Sequence, residues 1–229
     1  MVSRFECVLS ALLHEDPLVV PQTIGFTNDV ARAKFIPSVE GGLGEAEFLD
    51  NFFVGAGDGG FRVNRTVEAE PRWSLAEWET GAVWRRGSAE NMWAREYVKY
   101  PVECEDDLDG LVLPDPDDSW RYEGLERSLR RVRDKGFFPL CSMNGFFSGV
   151  WYFLRGPLHV VLKDLYLSRR FFEKLIAKLG EFNLRAERNL LERGALMIAW
   201  VDDLGYNKGT FMNPNLYEEL VFPWHKRAI

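Results

Sequence analysis

The sequence predicts an α/β fold built on a parallel sheet, and three observations carry that prediction. Two short apolar runs, 137–141 and 195–201, have no polar interruption, as strands buried on both faces of a parallel sheet have none. Amphipathic helical patterns separate them, the longest running from Ser168 to Gly194. The second run ends in Asp202-Asp203, followed by a glycine-containing loop and then Asn213-Pro214, an N-cap and first helical residue. Strand, acidic tip, loop and helix is the order in which α/β enzymes place chemistry at the carboxyl ends of their strands.

The chain has 229 residues, 46% hydrophobic and 28% charged, enough for one large domain with a real core. A net charge of −7 argues against a nucleic-acid partner. No apolar run approaches the roughly 20 residues that span a bilayer. Glu6, Glu15 and Asp16 interrupt any signal-peptide pattern. Cys7, Cys104 and Cys141 are too widely spaced for a disulfide framework or a metal clip. These features together predict a protein of the reducing cytoplasm.

Taken in order, Ser3-Arg4-Phe5-Glu6 fits a capping box, and Phe5, Val8, Leu9, Leu12 and Leu13 recur at helical spacing until Asp16-Pro17. Residues 18–24 read as a strand, with Pro21 at an edge or end. Residues 45–54 read as a short helix and 55–60 as a loop. Residues 61–69 alternate as a strand does, and 82–86 and 95–100 read as antiparallel strands around a polar turn. The segment 61–100 is thus a β-rich insertion, dense in tryptophan at Trp73, Trp78, Trp84 and Trp93. Such a cluster is either a stacking platform for a flat ligand, or core and cover over a barrel mouth; core is the commoner case.

Residues 103–109 read as a short acidic helix. Pro114-Asp115-Pro116-Asp117-Asp118 is a rigid turn whose acids suggest a metal site, but alternate prolines limit their convergence, and a solvated helix entry is the better reading. Residues 122–135 are amphipathic and end at Gly136. The 137–141 strand closes in Ser142-Met143-Asn144-Gly145, and 146–154 are helical. Ser168 caps the long helix, whose stripe is Phe172, Leu175, Ile176, Leu179, Phe182, Ala186 and Leu190.

Four stretches resemble the uroporphyrinogen decarboxylase family of TIM barrels and its corrinoid-linked methyltransferase relatives. SRFECVLSALLHEDPLVVP (3–21) looks like the family's opening helix and first-strand entry. EDDLDGLVLPDP (105–116) looks like the acidic helix and PDP turn of the methyltransferase-like branch. NGFFSGVWYFLRG (144–156) and VDDLGYNKGTFMNPNLYEELVFPWHKRAI (201–229) are similar to the family's active-site helix and its acidic strand end with a Pro-x-x-Lys-Arg ending. The resemblance covers mainly 3–25 and 98–229. It implies a (β/α)8 barrel, here incomplete because the chain stops before the family's later strands, in one domain spanning 1–229.

The resemblance implies three functions. The first is methyl transfer from a corrinoid protein to a thiol or similar acceptor. The second is decarboxylation of a tetrapyrrole, the lyase reaction of porphyrin biosynthesis. The third is a half-barrel subunit or binding module without catalysis. The decarboxylases carry an arginine just beyond the first strand to pair substrate carboxylates, and that position here is Phe26. They also carry a small polar residue where Asp203 stands, and a carboxylate there repels a polyanion. The methyltransferase branch binds zinc through His-x-Cys and a later Cys. His14, His159 and His225 show no such spacing, so this chain is assigned no metal or cofactor, and zinc and a corrinoid belong to the completed fold. The expected partners are a small molecule or corrinoid protein, and a second chain or copy that completes the barrel.

The candidate catalytic residues are Asp203, Tyr152 and Asp202, and the candidate substrate-binding residues are Asn144, Phe26 and Gly205. Adjacent residues of an extended chain face opposite ways. Asp203 is therefore expected to face the cavity, to orient substrate or accept a proton, and Asp202 to hold the 205–209 loop. The plainer alternative is that both aspartates only cap backbone amides.

Overall fold

The computed structural model describes residues 3–25, 32–34, 36, 41–70, 73–87 and 95–229. Phe26 and Trp93 lie outside them. The chain is a mixed α/β protein with a parallel sheet. Strands β1 (Phe53–Asp58), β6 (Phe138–Asn144) and β7 (Ile198–Val201) form that sheet in the order β1-β6-β7. Both pairings are parallel, running from Phe53↔Phe138 to Asp58↔Ser142 and from Cys141↔Ile198 to Asn144↔Val201. Strands β2 (Val63–Glu70), β3 (Trp73–Trp78), β4 (Val83–Gly87) and β5 (Arg95–Lys99) form a separate antiparallel sheet in the order β2-β3-β4-β5. Among the described residues the three parallel strands are an open sheet, with β1 and β7 at its edges.

The first sheet strand is not where the sequence pattern put it. Residues 18–24 form no strand. Pro17 and Pro21 remove ladder donors, and the segment is tied instead by the Asn51 side chain, which bonds both backbone groups of Ile24 at 2.6 and 2.9 Å, and by Phe52 N–H donating to Gln22 O. The strand is Phe53–Asp58, whose Phe-Val-Gly-Ala-Gly-Asp sequence is poor in strand formers. Gly57 is required there, because a Cβ would run into the Leu125 side chain and come within 3.2 Å of Cys141 Sγ.

The second correction concerns β7. It pairs in parallel with β6 as expected, but it is not buried on both faces. Ile198, Ala199 and Trp200 are half-buried and Val201 is 63% exposed, because no strand among the described residues lies beyond it.

The helices follow the periodicity closely. Helix Arg4–Leu12 opens with the complete capping box, Ser3 Oγ accepting from Glu6 N–H and Glu6 accepting from Ser3 N–H at 2.7 Å. Its Phe5 ring stacks on Phe138 at 4.9 Å, yet Leu9, Leu12 and Leu13 stay exposed. Helix Leu125–Asp134 packs on β1 and β6. Helix Phe146–Gly149 runs on into a π-turn, Val150–Leu154. In the long helix Arg169–Glu192 every residue of the anticipated stripe is buried. Ser168 stands at its N-cap without a side-chain bond; its carbonyl accepts from Phe171 and Phe172 instead. The PDP acids converge on the long helix and not on a metal: Asp115 and Asp117 both accept from Arg185, and Asn189 donates to Asp117 at 2.8 Å.

One core joins the two sheets. Phe61 stacks on Phe182 at 4.4 Å, and Trp84, 3% exposed, stacks on Phe153 at 5.2 Å. Trp84 Nε1 donates to Tyr152 O at 2.9 Å. Trp84 is therefore a core residue, and that contact sets the antiparallel sheet beside the carboxyl ends of the parallel one.

Candidate functional site

The carboxyl ends of the three parallel strands meet at a cavity of about 210 Å³. Asp58 ends β1, Asn144 ends β6 and Val201 ends β7, and all three line it. Trp78 and Trp84 of the antiparallel sheet, with Tyr152 and Phe153 of the helix after β6, form its aromatic wall. The Trp78 and Trp84 rings lie 4.7 Å apart.

Two polar groups in this wall have nothing to bond. Asn144 Nδ2 and Trp78 Nε1 are buried donors without a partner among the described residues. The Asn144 backbone carbonyl accepts from Asn183 Nδ2 at 3.2 Å, while the side-chain Nδ2 of Asn144 stays open. A buried unpaired donor costs about 1–3 kcal/mol, and a ligand acceptor would relieve that cost. The Asp58 carboxylate accepts from Gly60 N–H at 2.6 Å. Tyr152 O–H donates to Asp203 at 3.4 Å, which brings Asp203 to the rim. Behind Asp58, burial and then the Asp58 charge push the Cys141 thiol up to about 11, so it is not a nucleophile at neutral pH.

Asp202 does something other than hold the 205–209 loop. Its side chain, 5% exposed, turns back onto the helix after β6. It accepts from Ser148 N–H at 2.7 Å and Phe147 N–H at 3.1 Å, capping that helix from a distant strand. His225 Nε2 lies 3.2 Å from the same carboxylate, and His225 Nδ1 lies 3.2 Å from Tyr217 O–H. Burial, aided by the Asp202 charge, raises the Tyr217 phenol above its ordinary range. Gly145 makes the approach possible: a Cβ there would stand 2.5 Å from both Asp202 Cγ and Val201 O. The 205–209 loop closes on itself, through the short pairing of β8 (Gly205–Tyr206) with β9 (Gly209–Thr210) and through Phe211 N–H donating to Leu204 O.

The structure therefore gathers Asn144, Tyr152 and, through Tyr152, Asp203 at one cavity. It sets Asp202 behind that cavity as a capping group and Gly205 in the exposed loop. Asp58 and His225 are residues that sequence reasoning did not place at the site, and Trp78 was named only within the tryptophan cluster. Asp58 carries the same signal as Asp202, an acid closing a strand, but it was hidden because its strand was read as a loop. No group of three His, Cys, Asp or Glu among the described residues could hold a metal ion. No helix among them is long and apolar enough to cross a membrane.

No family model matches the chain. No curated protein matches it either. Among solved structures it is similar to a methyltransferase from Methanosarcina mazei, with a TM-score of 0.64 and 16% identity over all of this chain. The chain spans 66% of that protein's length. At that identity the likeness is one of fold, and chemistry must be argued from the site.

Proposed function

We propose that the chain is the acceptor-binding portion of a methyltransferase-type barrel of the uroporphyrinogen decarboxylase family, belonging to its corrinoid-dependent branch. The observation that carries this reading is the cavity at the strand ends, where the open Asn144 donor faces an aromatic wall. Pockets of this kind, mostly apolar with a few fixed polar groups, hold small ligands at the carboxyl ends of parallel strands. Asn144 fixes one acceptor atom of the ligand, Trp78 and Trp84 enclose its apolar part and exclude water, and Tyr152 with Asp203 holds or moves a proton at the rim.

The lining contains Asp58, has Asp203 beside it and includes no Lys or Arg among the described residues, which disfavours a polycarboxylate tetrapyrrole and supports the methyl-transfer reading over decarboxylation. A corrinoid would supply the methyl group from a partner protein. Zinc does not fit the described residues, and no step here passes through it. The exposed edge at β7 and the exposed Leu9, Leu12 and Leu13 support completion of the barrel by further strands, from this polypeptide or another.

The test is methyl transfer from methylcobalamin to 2-mercaptoethanol by the chain together with the strands that complete its barrel, with zinc supplied for the completed fold, followed by the visible spectrum and by thioether formation. The expected result is turnover that falls about tenfold or more in Asn144→Ala and in Tyr152→Phe, the loss of one hydrogen bond each. Absence of thioether from the unaltered, completed barrel, or coproporphyrinogen formed from uroporphyrinogen, would sink the reading.

A further inference from the structure

A second cavity, of about 220 Å³, opens on the other side of Asp58. Its lining includes Arg62, Arg121, Ser128 and the start of helix Leu125–Asp134. The helix N-cap is Gly124, which has no side chain to offer the first-turn amides. The positive end of a ten-residue helix dipole is therefore uncapped by protein at the cavity wall.

The two arginines differ in how they are satisfied. Arg121 is 4% exposed and its charge is met by Glu79, which accepts from both Nη atoms at 2.8 Å, while Arg121 Nη2 also donates to Gly60 O. Its Nε is nonetheless buried without a partner. Arg62 has no carboxylate within ion-pair distance among the described residues. Its Nη2 donates to two carbonyls, Asp58 O at 3.0 Å and Arg121 O at 2.7 Å, and its Nε is buried and unpartnered. A guanidinium held by neutral carbonyls, with a donor left over in a cavity wall, is a cation awaiting an anion. Two acids share the lining. Asp58 is engaged by Gly60 N–H, and Glu123 is exposed to solvent.

We infer that this cavity binds the oxyanion of a small ligand, a carboxylate or a phosphate, with Arg62 as its cation and the first turn of helix Leu125–Asp134 with Ser128 as its hydrogen-bonding floor. The inference stands apart from the methyl-transfer reading, since it concerns different residues and a different measurement.

Isothermal titration of the chain with inorganic phosphate, and separately with acetate, at constant ionic strength tests the site. Saturable binding of at least one anion is expected, weakened tenfold or more by Arg62→Gln and unchanged by the surface substitution Arg185→Gln. Phosphate alone would assign a phosphoryl ligand, and acetate alone a carboxylate. Ser128→Asp sets a negative charge at the floor without removing any core contact; it is expected to keep the thermal midpoint and lose the anion. Saturable binding of neither anion overturns the inference. So does equal affinity in folded Arg62→Gln or, should that variant fail to fold, undiminished affinity in Ser128→Asp.

Discussion

Replacing Asp202 by Asn tests whether the second half of the site is built from one carboxylate. Both oxygens of Asp202 are used: Oδ1 accepts from Ser148 N–H, and Oδ2 accepts from Phe147 N–H and faces His225. An asparagine keeps one acceptor and turns an NH2 group toward a donor, so one amide loses its partner. Phe147 is fully buried and Ser148 is 1% exposed, so water does not replace the lost bond. The cost is about 1–3 kcal/mol for the orphaned amide, and losing the negative charge at the helix start adds about 0.3–1 kcal/mol. Asp202→Asn should therefore lower stability by about 1–4 kcal/mol, or roughly 2–16 °C in Tm for a chain of this size. Asp202→Ala strands both amides and should cost more. Urea titration of the three proteins reads this as falling midpoints at constant slope. An Asn variant within about 0.5 kcal/mol of the parent, the ordinary range for an inconsequential surface change, or an Ala variant no worse than Asn, would refute the reasoning.

Three further outcomes follow from buried groups elsewhere. Glu187 on the long helix is 7% exposed with no partner among the described residues, and burial pushes its carboxyl up to about 7. The native state then holds a proton that the unfolded state has released, so stability should fall as pH rises from about 4.5 to 7, by up to about 3 kcal/mol, and Glu187→Gln should abolish that slope in urea titrations at pH 5 and pH 8. The Arg121–Glu79 pair is nearly sealed from solvent, with side chains 1% and 7% exposed. Glu79→Gln should cost about 3–5 kcal/mol by leaving a buried charge, and the double change with Arg121→Met should recover most of it in the same assay. Gly180 of the long helix faces the Trp224 ring, into which a Cβ would run. Gly180→Ala should destabilise by about 1–3 kcal/mol and shift the tryptophan emission, because Trp224 and its neighbour His225 are pushed off.

What the sequence disclosed tracks where local chemistry and tertiary need agree. The capping box at Ser3, the long-helix stripe and the parallel partnership of 137–141 with 195–201 are written in spacing and composition, and the structure has them. The strand Phe53–Asp58 was illegible because it is glycine-rich and its Gly57 serves a close approach to Leu125, a requirement set by a helix far along the chain. The burial of β7 was overestimated because an apolar run reports what a strand can bury and not what lies beside it. Asp202 and Asp203 stand next to each other in the sequence but part in the structure: Asp203 reaches Tyr152 at the cavity rim, while Asp202 turns back past Gly145. The space left there lets the Asp202 carboxylate reach the amides of Phe147 and Ser148. His225 carried no signal at all, since its partner stands on another element.

The walls of both cavities trace to one connection. β1 ends at Asp58 and the helix that packs back on it begins at Leu125, so the antiparallel sheet and its flanks are a single loop of one βα unit. That loop supplies Trp78 and Trp84 to the first cavity and Arg62 and Arg121 to the second. Its two ends are joined by the same group: Glu79 takes both the Arg121 guanidinium and the Arg62 N–H, at 2.9 Å. The parallel sheet offers only strand ends, Asp58, Asn144 and Val201, a frame that many chemistries could share. Loops at this face decide what the frame accepts. Because one buried ion pair holds both ends of this loop, the aromatic wall and the cationic wall are fixed relative to each other through Asp58. On the two proposals above, a ligand that contacts both walls would meet a preformed distance between its apolar and anionic parts.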